Sequence, residues 1–565
     1  MSHFIRTLLF IILLSISFSI SLQAQESRPA QPGELPRPQF LGAYKQPAIH
    51  ALEPRGDRFL ESMIQEGKLR LTESDAVRLA LESNVDINVE RYGPYFSLWD
   101  VEKGRGVLNP SILFNTNVNR LVTPSTSVLQ GGDTVLDLNS LYELAVRKPF
   151  EKGLDLDFSF STRRARSSSF FLSLNPAFGS NFGLTLTQHL LKDFGSISRG
   201  RFVRIARNNY GMSEEEFVVQ TTEIVNNVLN AYWNLVFNDE DIKTREASKK
   251  LAEVILEHNK IQLEVGTMSS LDVVQAEAEV AAREEELVVS RHTRRLTEDQ
   301  LKKLISSNPD PGLITATIEP LSKPDTPRAP ADDINQAIRR ALEIRPEVKQ
   351  MLLDQENRKI NVDYTRNQLR PTLDLVASYS QNGLGGLGIV RDYSQGFFGA
   401  PVIGTVPGGF GDSLDSLFSQ RFVGYTVGFN FRLPVGNDEA RSNNAQAQIS
   451  LKQGEERLRS LRQRIALEVR DAYGRFEMNR ARVDAAQITV RFADRKLQGE
   501  QEKYNMGASP TRSVIEGQRD LLVAQNRLLQ AKLDMIKSRI AMDKAVGDIF
   551  AAYNIELTKT LGLFK

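Results

Sequence analysis

At 565 residues the chain is long enough for several domains or for one elongated repeat architecture. Lys and Arg total 71 against 70 Asp and Glu, interspersed rather than in blocks, so charge draws the chain to neither nucleic acid nor an anionic surface. Cysteine is absent and the 5 histidines stand singly without ligand spacing, which excludes disulfides and an N-terminal lipidated cysteine and leaves no expectation of a metal or other cofactor.

Residues 1–24 read as an export signal: Arg6 supplies the positive start, Leu8 to Ile20 a short apolar run, and Ala24 the cleavage position. That run is too short to span a bilayer comfortably, and no later apolar stretch reaches the ~18 residues a transmembrane helix needs. Residues 25–70 are Pro-rich (Pro29, Pro32, Pro36, Pro38, Pro47, Pro54) and predict an extended lead with little core of its own. A helix is predicted from Thr72 or Ser74, with Ala76, Leu79, Ala80, Val85 and Ile87 as its apolar stripe.

The chain then repeats itself. Ala80-Leu81-Glu82 returns as Ala341-Leu342-Glu343 and Asn109-Pro110-Ser111 as Arg370-Pro371-Thr372, both 261 residues on; Ala231-Tyr232 returns as Ala472-Tyr473 and Gly266 as Gly507, both 241 residues on. Repeat 1 therefore covers 71–305 and repeat 2 covers 333–547, with a Pro-rich linker at 306–332 and a tail at 548–565. The change of offset places an insertion or deletion between Pro110 and Gly195.

Inside that interval the period changes from 3.6 to 2. Leu154, Leu156, Phe158 and Phe160 alternate with Asp155, Asp157, Ser159 and Ser161, and Tyr425, Val427, Phe429 and Phe431 alternate with Thr426, Gly428, Asn430 and Arg432. Leu184 and Leu186, and Leu373, Leu375, Ala377 and Tyr379, follow the same pattern. The alternation alone fits a soluble sandwich and a membrane barrel equally. The long Gly-rich connection at 381–420, with similar stretches at 124–141 and 164–180, favours a barrel with long external loops. About two strands per repeat are predicted, plus an extra hairpin near 142–163 that belongs either to the barrel or to an external loop. So few strands cannot close a lumen alone, because the smallest such barrels have about eight, and closure requires several copies.

Each strand region precedes a long helical hairpin. Residues 201–265 hold no proline and one interior glycine, Gly211, which predicts a helix of about 100 Å at 1.5 Å per residue. It ends at Gly266-Thr267-Met268-Ser269, and the second hairpin ends at Gly507-Ala508-Ser509-Pro510. On the return arm Val514, Leu521, Leu528, Met535 and Met542 stand seven apart, as do Ile515, Leu522, Leu529 and Ile536. Val273, Val280, Leu287, Arg294 and Leu301 are the equivalents in repeat 1. Two adjacent seven-residue seams predict coiled-coil packing against neighbours on both sides, where one seam would give only an antiparallel pair.

On these residues the chain resembles the TolC family of outer-membrane efflux proteins. The resemblance is carried by the tandem order of helix, strands and hairpin, by Val265-Gly266 with Leu271-Asp272-Val273-Val274-Gln275-Ala276, and by Asn230-Ala231-Tyr232 with Asp471-Ala472-Tyr473. It covers roughly residues 71–547 and includes the strand ends Gln188-His189-Leu190-Leu191 and Pro434-Val435-Gly436. It implies an α+β membrane protein whose long α-helical hairpins form a coiled-coil barrel and whose transmembrane strands, from a homotrimer, form a twelve-stranded barrel in outer-membrane lipid. The helical part would project into the periplasm as a passive exit duct, driven by an inner-membrane pump of RND, ABC or MFS type joined through a periplasmic adaptor. The tips Gly266, Thr267, Met268, Gly507, Ala508 and Ser509 would be the adaptor-docking positions.

Acidic side chains near such tips form cation-selective rings, and Asp272 and Glu516 are the candidates, although the helix dipole favours acidic residues in a first turn in any case. Ser513 stands where the family often has an acidic residue, and Ser509-Pro510 where it can have a basic locking residue. Two other readings compete. A periplasmic coiled-coil adaptor has one hairpin rather than two, and a structural protein without a channel would leave residues 372–380 and 424–433 dispensable. An enzyme lacks its parts: the chain has no phosphate loop, no nucleophilic cysteine and no histidine paired with a carboxylate in a recognisable motif.

Overall fold

A computed structural model describes residues 44–47, 63–125, 132–307, 311–324, 333–394, 396, 400–506, 508–553 and 555, so the signal and most of the Pro-rich lead lie outside it. In chain order the elements are β1 (Ile64–Gln65), β2 (Lys68–Leu71), α1 (Glu73–Ser83), α2 (Val85–Gly106), β3 (Ser111–Pro124), β4 (Thr134–Pro149), β5 (Leu154–Ser167) and β6 (Leu174–His189). Then come α3 (Gly200–Glu264), α4 (Ser270–Ile305), α5 (Pro311–Thr315) and β7 (Thr317–Pro320). Repeat 2 brings α6 (Ile334–Ile344), α7 (Pro346–Gln368), β8 (Thr372–Arg391), β9 (Val402–Val406), α8 (Phe410–Phe418) and β10 (Val423–Arg432). It closes with α9 (Asp438–Asn505), α10 (Thr511–Val546) and α11 (Ile549–Ala552). The described residues form two compact units, one drawn from those up to 97, from 210–353 and from 455 onward, the other from 98–209 and 354–454.

In the first unit the helix predicted from Thr72 starts there. Thr72 and Asp75 cap each other reciprocally, the Asp75 amide donating to Oγ1 of Thr72 at 3.2 Å and the Thr72 amide to Oδ2 of Asp75 at 3.0 Å. The predicted stripe, however, is split between two helices. Asn84 leaves the helical conformation, its Oδ1 accepts from the Ile87 amide at 3.0 Å, and its Nδ2 donates to the Leu304 carbonyl at 2.8 Å. Repeat 2 breaks at the equivalent place, with Arg345 extended and Pro346 opening α7.

Around α1 lies the main core. Leu69, Leu71, Leu79, Val225, Leu229, Leu235, Leu301 and Ile318 are fully buried, with Leu533, Ile536 and Ile540 of α10 closing one side. Tyr232 sits in its middle and donates from its hydroxyl to Oγ of Ser322 at 2.8 Å, while Trp233 Nε1 donates to Glu73 at 3.0 Å. The stretch read as a linker supplies part of this core. Its Thr317–Pro320 segment is β7, which runs parallel to β2 in a three-stranded sheet, β1-β2-β7. Ile318 buries between polar neighbours, and Pro320 ends the strand, where a missing N–H is tolerated.

On α4 the buried positions Val273, Ala276, Arg283, Leu287, Ser290, Thr297 and Leu301 follow one heptad seam. α10 buries Val514, Met535 and Met542 of one predicted seam and Leu522 and Ile536 of the other, while Leu521, Leu528, Ile515 and Leu529 are half-buried. It also buries a further line seven apart, Gly517, Ala524, Ala531 and Ser538. Its Lys537 donates to Asn234 of α3 at 2.6 Å, while its Asp534 accepts from Arg482 of α9 at 3.1 Å.

The second unit is built on one antiparallel sheet of order β10-β8-β6-β5-β4-β3, with short β9 attached to β8. The extra hairpin is therefore part of this sheet, as β4 and β5, and among the described residues the sheet holds six long strands, where two per repeat would give four. Because side chains alternate, register sorts them into two faces. One row across all six strands reads Ile112, Val146, Phe158, Leu184, Tyr379, Tyr425. A row on the other face reads Ser111, Arg147, Asp157, Thr185, Ser378, Thr426. Toward its loop end the apolar face carries α8, which sits so close over β8 that a Cβ on Gly383 would lie 2.1 Å from the Ser413 carbonyl oxygen. Only glycine permits that approach.

Candidate functional site at the hairpin tips

The first hairpin turns on a left-handed glycine. Gly266 has φ of 78°, its amide donates to the Leu263 carbonyl at 3.0 Å, and the Thr267 amide donates to the Gln262 carbonyl at 2.9 Å. These two bonds make a Schellman motif, which satisfies the last carbonyls of α3. Ser269 then caps α4, its Oγ accepting from the Leu271 amide at 3.2 Å. Thr267 is left exposed and Met268 half-buried.

At the second tip Gly507 lies outside the described residues. The Ala508 amide donates to the Lys503 carbonyl at 2.8 Å, which is the bond equivalent to Thr267 with Gln262, and the Ser513 amide donates to the Pro510 carbonyl at 3.0 Å, as Asp272 does to Ser269. The repeat therefore extends to the hydrogen bonds. The caps differ: the Pro510 ring has no hydrogen-bond acceptor to offer the first turn, and Ser509 instead donates to Glu500 at 2.9 Å.

The two acidic candidates are not equivalent. Asp272 is half-buried in the first turn of α4 and makes no ion pair among the described residues. Glu516 is exposed and forms a surface ion pair with Arg512 one turn earlier, at 2.9 Å.

Two contacts that sequence reasoning missed join one hairpin to the other. Tyr504 of α9 donates to Oδ1 of buried Asn259 on α3 at 2.9 Å, with His258 Nδ1 3.3 Å from the same hydroxyl. Farther along, Arg519 of α10 forks onto Glu279 of α4, with its Nε 3.3 Å from Oε1 and its other nitrogen on Oε2. Glu279 is buried and also accepts from Arg283 at 2.5 Å. Burial pushes the Glu279 carboxyl up, but the guanidinium groups of Arg519 and Arg283 outweigh it and hold the group below its ordinary value. The signal in the sequence was Arg283 itself, a charge at a heptad position where an apolar residue belongs, one turn after an acid.

A family model described as "Outer membrane efflux protein" matches residues 147–307 and 337–548. Outer membrane protein TolC of Escherichia coli (strain K12) is 21% identical over 398 residues, 70% of this chain and 74% of the relative. Outer membrane efflux protein BepC of Brucella suis is 23% identical over 352 residues, 61% of this chain and 69% of the relative. Among solved structures, the Campylobacter jejuni CmeC outer membrane channel superposes with a TM-score of 0.59 at 16% identity, covering 92% of this chain and 93% of its own. The Vibrio cholerae outer membrane protein VceC gives 0.58 at 15% identity, covering 84% and 96%.

Proposed function

The chain belongs to the outer membrane efflux protein family, and from that membership we propose how its parts are used. It is an outer-membrane channel for efflux whose paired hairpins are the periplasmic helical tunnel, and it is a conduit rather than an enzyme. Three copies assemble around one lumen. A periplasmic adaptor docks on the tips formed by Gly266, Thr267 and Met268 and by Gly507, Ala508 and Ser509, and an inner-membrane pump of RND, ABC or MFS type delivers the cargo and the energy. The observation that carries this reading is the coexistence, in one chain, of an open sheet apolar on one face and two hairpins ending in hydrogen-bonded turns of the same register.

Within the tunnel, Asp272 is the better candidate for a cation-selective ring, because among the described residues it has no ion-pair partner and three copies would place three carboxylates around a narrow mouth. Tyr504 with Asn259, and Arg519 with Glu279, clasp the two hairpins of one chain and hold that mouth in its closed form.

The whole reading is tested by fractionation: the mature protein is expected in the outer membrane as a trimer, and a soluble periplasmic monomer would sink it. For docking, Ala508→Arg adds a bulky charge at an exposed position without touching the backbone bonds of the turn. It is expected to abolish co-purification with the adaptor while the trimer persists, and undiminished co-purification would refute the tip as the docking site.

A further inference from the structure

We propose that the β4–β5 hairpin is an inserted piece of barrel wall, so that three copies of this chain close an eighteen-stranded barrel rather than a twelve-stranded one. The inference rests on the trimeric reading above and concerns a pair of strands that repeat 2 lacks. In each repeat one strand follows the short helices and one leads into the long hairpin: β3 and β6 in repeat 1, β8 and β10 in repeat 2. β4 and β5 lie between β3 and β6, in the interval where repeat 1 exceeds repeat 2.

Three observations make the pair wall rather than plug or flap. β4 pairs with β3 over fourteen residues and with β5 over thirteen without a bulge, and β5 pairs with β6 over twelve, so the sheet is continuous through the insertion. The apolar face is continuous as well. Tyr142, Leu144 and Val146 of β4 and Leu156, Phe158 and Phe160 of β5 fill the same band as Phe182, Leu184 and Leu186 of β6, while Glu143, Arg147, Asp157 and Ser161 share the polar face with Thr185 and Ser378. A hairpin folded into the lumen or standing above the membrane has no reason to carry apolar residues in register with those of its neighbours, whereas a lipid-facing wall requires it.

Finally, the turn on the helix side is short and fixed. The Phe150 amide donates to the Leu154 carbonyl at 2.8 Å, the His189 amide to the Gly153 carbonyl at 3.0 Å, and Arg199 to Asp155 at 2.8 Å. Gly153, at φ of 83°, leaves no room for a Cβ, which would meet the Asp193 carbonyl oxygen at 2.5 Å. Short turns on the periplasmic side and longer loops outside are the membrane-barrel arrangement. Because barrel diameter grows about linearly with strand number, eighteen strands enclose a cross-section roughly 2-fold larger than twelve.

The test uses the full-length protein, whose lack of cysteine makes single-cysteine spin labels unambiguous. Labels at Leu144→Cys and Phe160→Cys, in liposomes of outer-membrane lipid, are expected to collide several-fold more with dissolved oxygen than with a water-soluble nickel chelate. Labels at Glu143→Cys and Ser161→Cys, on the opposite face of the same strands, are expected to show the reverse. Chelate-accessible labels at Leu144 and Phe160 would overturn the wall assignment. The mass of the same labelled complex in detergent separates the two premises: a trimer yields eighteen strands, whereas a dimer would overturn the count and the trimeric reading while the lipid-facing labels still placed the hairpin in the wall.

Discussion

Glu279 shows how a buried charge can serve as a latch. It is shared by two guanidinium groups, one on its own helix and one from the other hairpin, so the consequences of removing them differ. In Arg519→Ala the carboxylate keeps Arg283, and because Arg519 itself is 58% exposed the cost to stability is about 1 kcal/mol or less. In Glu279→Ala, Arg283 stays buried with only Glu286, at 3.3 Å, to compensate it, and the expected cost is about 3 kcal/mol, toward the range for breaking a buried pair. Arg519→Ala with Tyr504→Phe should therefore leave the folded complex nearly as heat-resistant as the parent yet raise its conductance in planar bilayers several-fold. Unchanged conductance would show that the clasp does not hold the mouth shut. The pH dependence has a definite sign. A carboxyl held below its ordinary value of 4.5 contributes stability that is fully present above that value and is lost as pH falls through the folded one. The Arg519 link should accordingly persist at neutral pH and open only under stronger acid, a transition that Arg519→Ala abolishes.

Among the elements, the long helices and their turns were the most legible, because sixty-odd residues without proline and a glycine at each turn admit few alternatives. The seven-residue spacing likewise located buried positions of α10 such as Val514, Leu522, Met535 and Ile536, but not the buried line of small residues Gly517, Ala524, Ala531 and Ser538, which no apolar pattern announces. What resisted reading was anything decided by a partner distant in sequence. β7 is four residues in a Pro-rich stretch, and only its pairing with β2, some 250 residues earlier, makes it a strand. The split of the first helix at Asn84 depends on the Leu304 carbonyl, which no local pattern announces. At the candidate site the turn residues were legible from the glycine and its flanking caps, while Tyr504, Asn259, Glu279 and Arg519 were not, since each matters through contact with the other repeat. The structural weight of β7 can be measured directly. Ile318 is fully buried in the core around α1, so Ile318→Ala should cost about 2–5 kcal/mol and lower the unfolding temperature of the complex, whereas Thr317→Ala on the exposed side should change little. Equal effects would mean that the short sheet contributes nothing to the core.

For the molecule as a whole, the open sheet poses a requirement that a single chain does not meet. β3 and β10 are its edges, and among the described residues neither has a strand on its outer side. Both carry apolar side chains left bare, Val118 at 65% and Val427 at 70% exposure, on the face shared by all six strands. In lipid each unpaired N–H or C=O group of such an edge costs several kcal/mol, so a strand of ten or more residues cannot remain open there. β3 is the first strand of the sheet in chain order and β10 the last of its six long strands, and within the sheet they run in opposite directions. In the trimer proposed above the β10 edge of one copy is therefore expected to meet the β3 edge of the next in antiparallel sense, as every other pair in the sheet is joined. Joined in that way, the two edges would satisfy the backbone and extend the apolar band from copy to copy, which is the closure the trimeric reading requires. Cysteines introduced together at Val118 and Val427 should be joined by a short bifunctional maleimide into covalent ladders ending at three chains, each singly substituted protein remaining unlinked. Ladders passing beyond three would indicate an open assembly, and an absence of linkage in the membrane-embedded protein would mean that some other surface covers these edges.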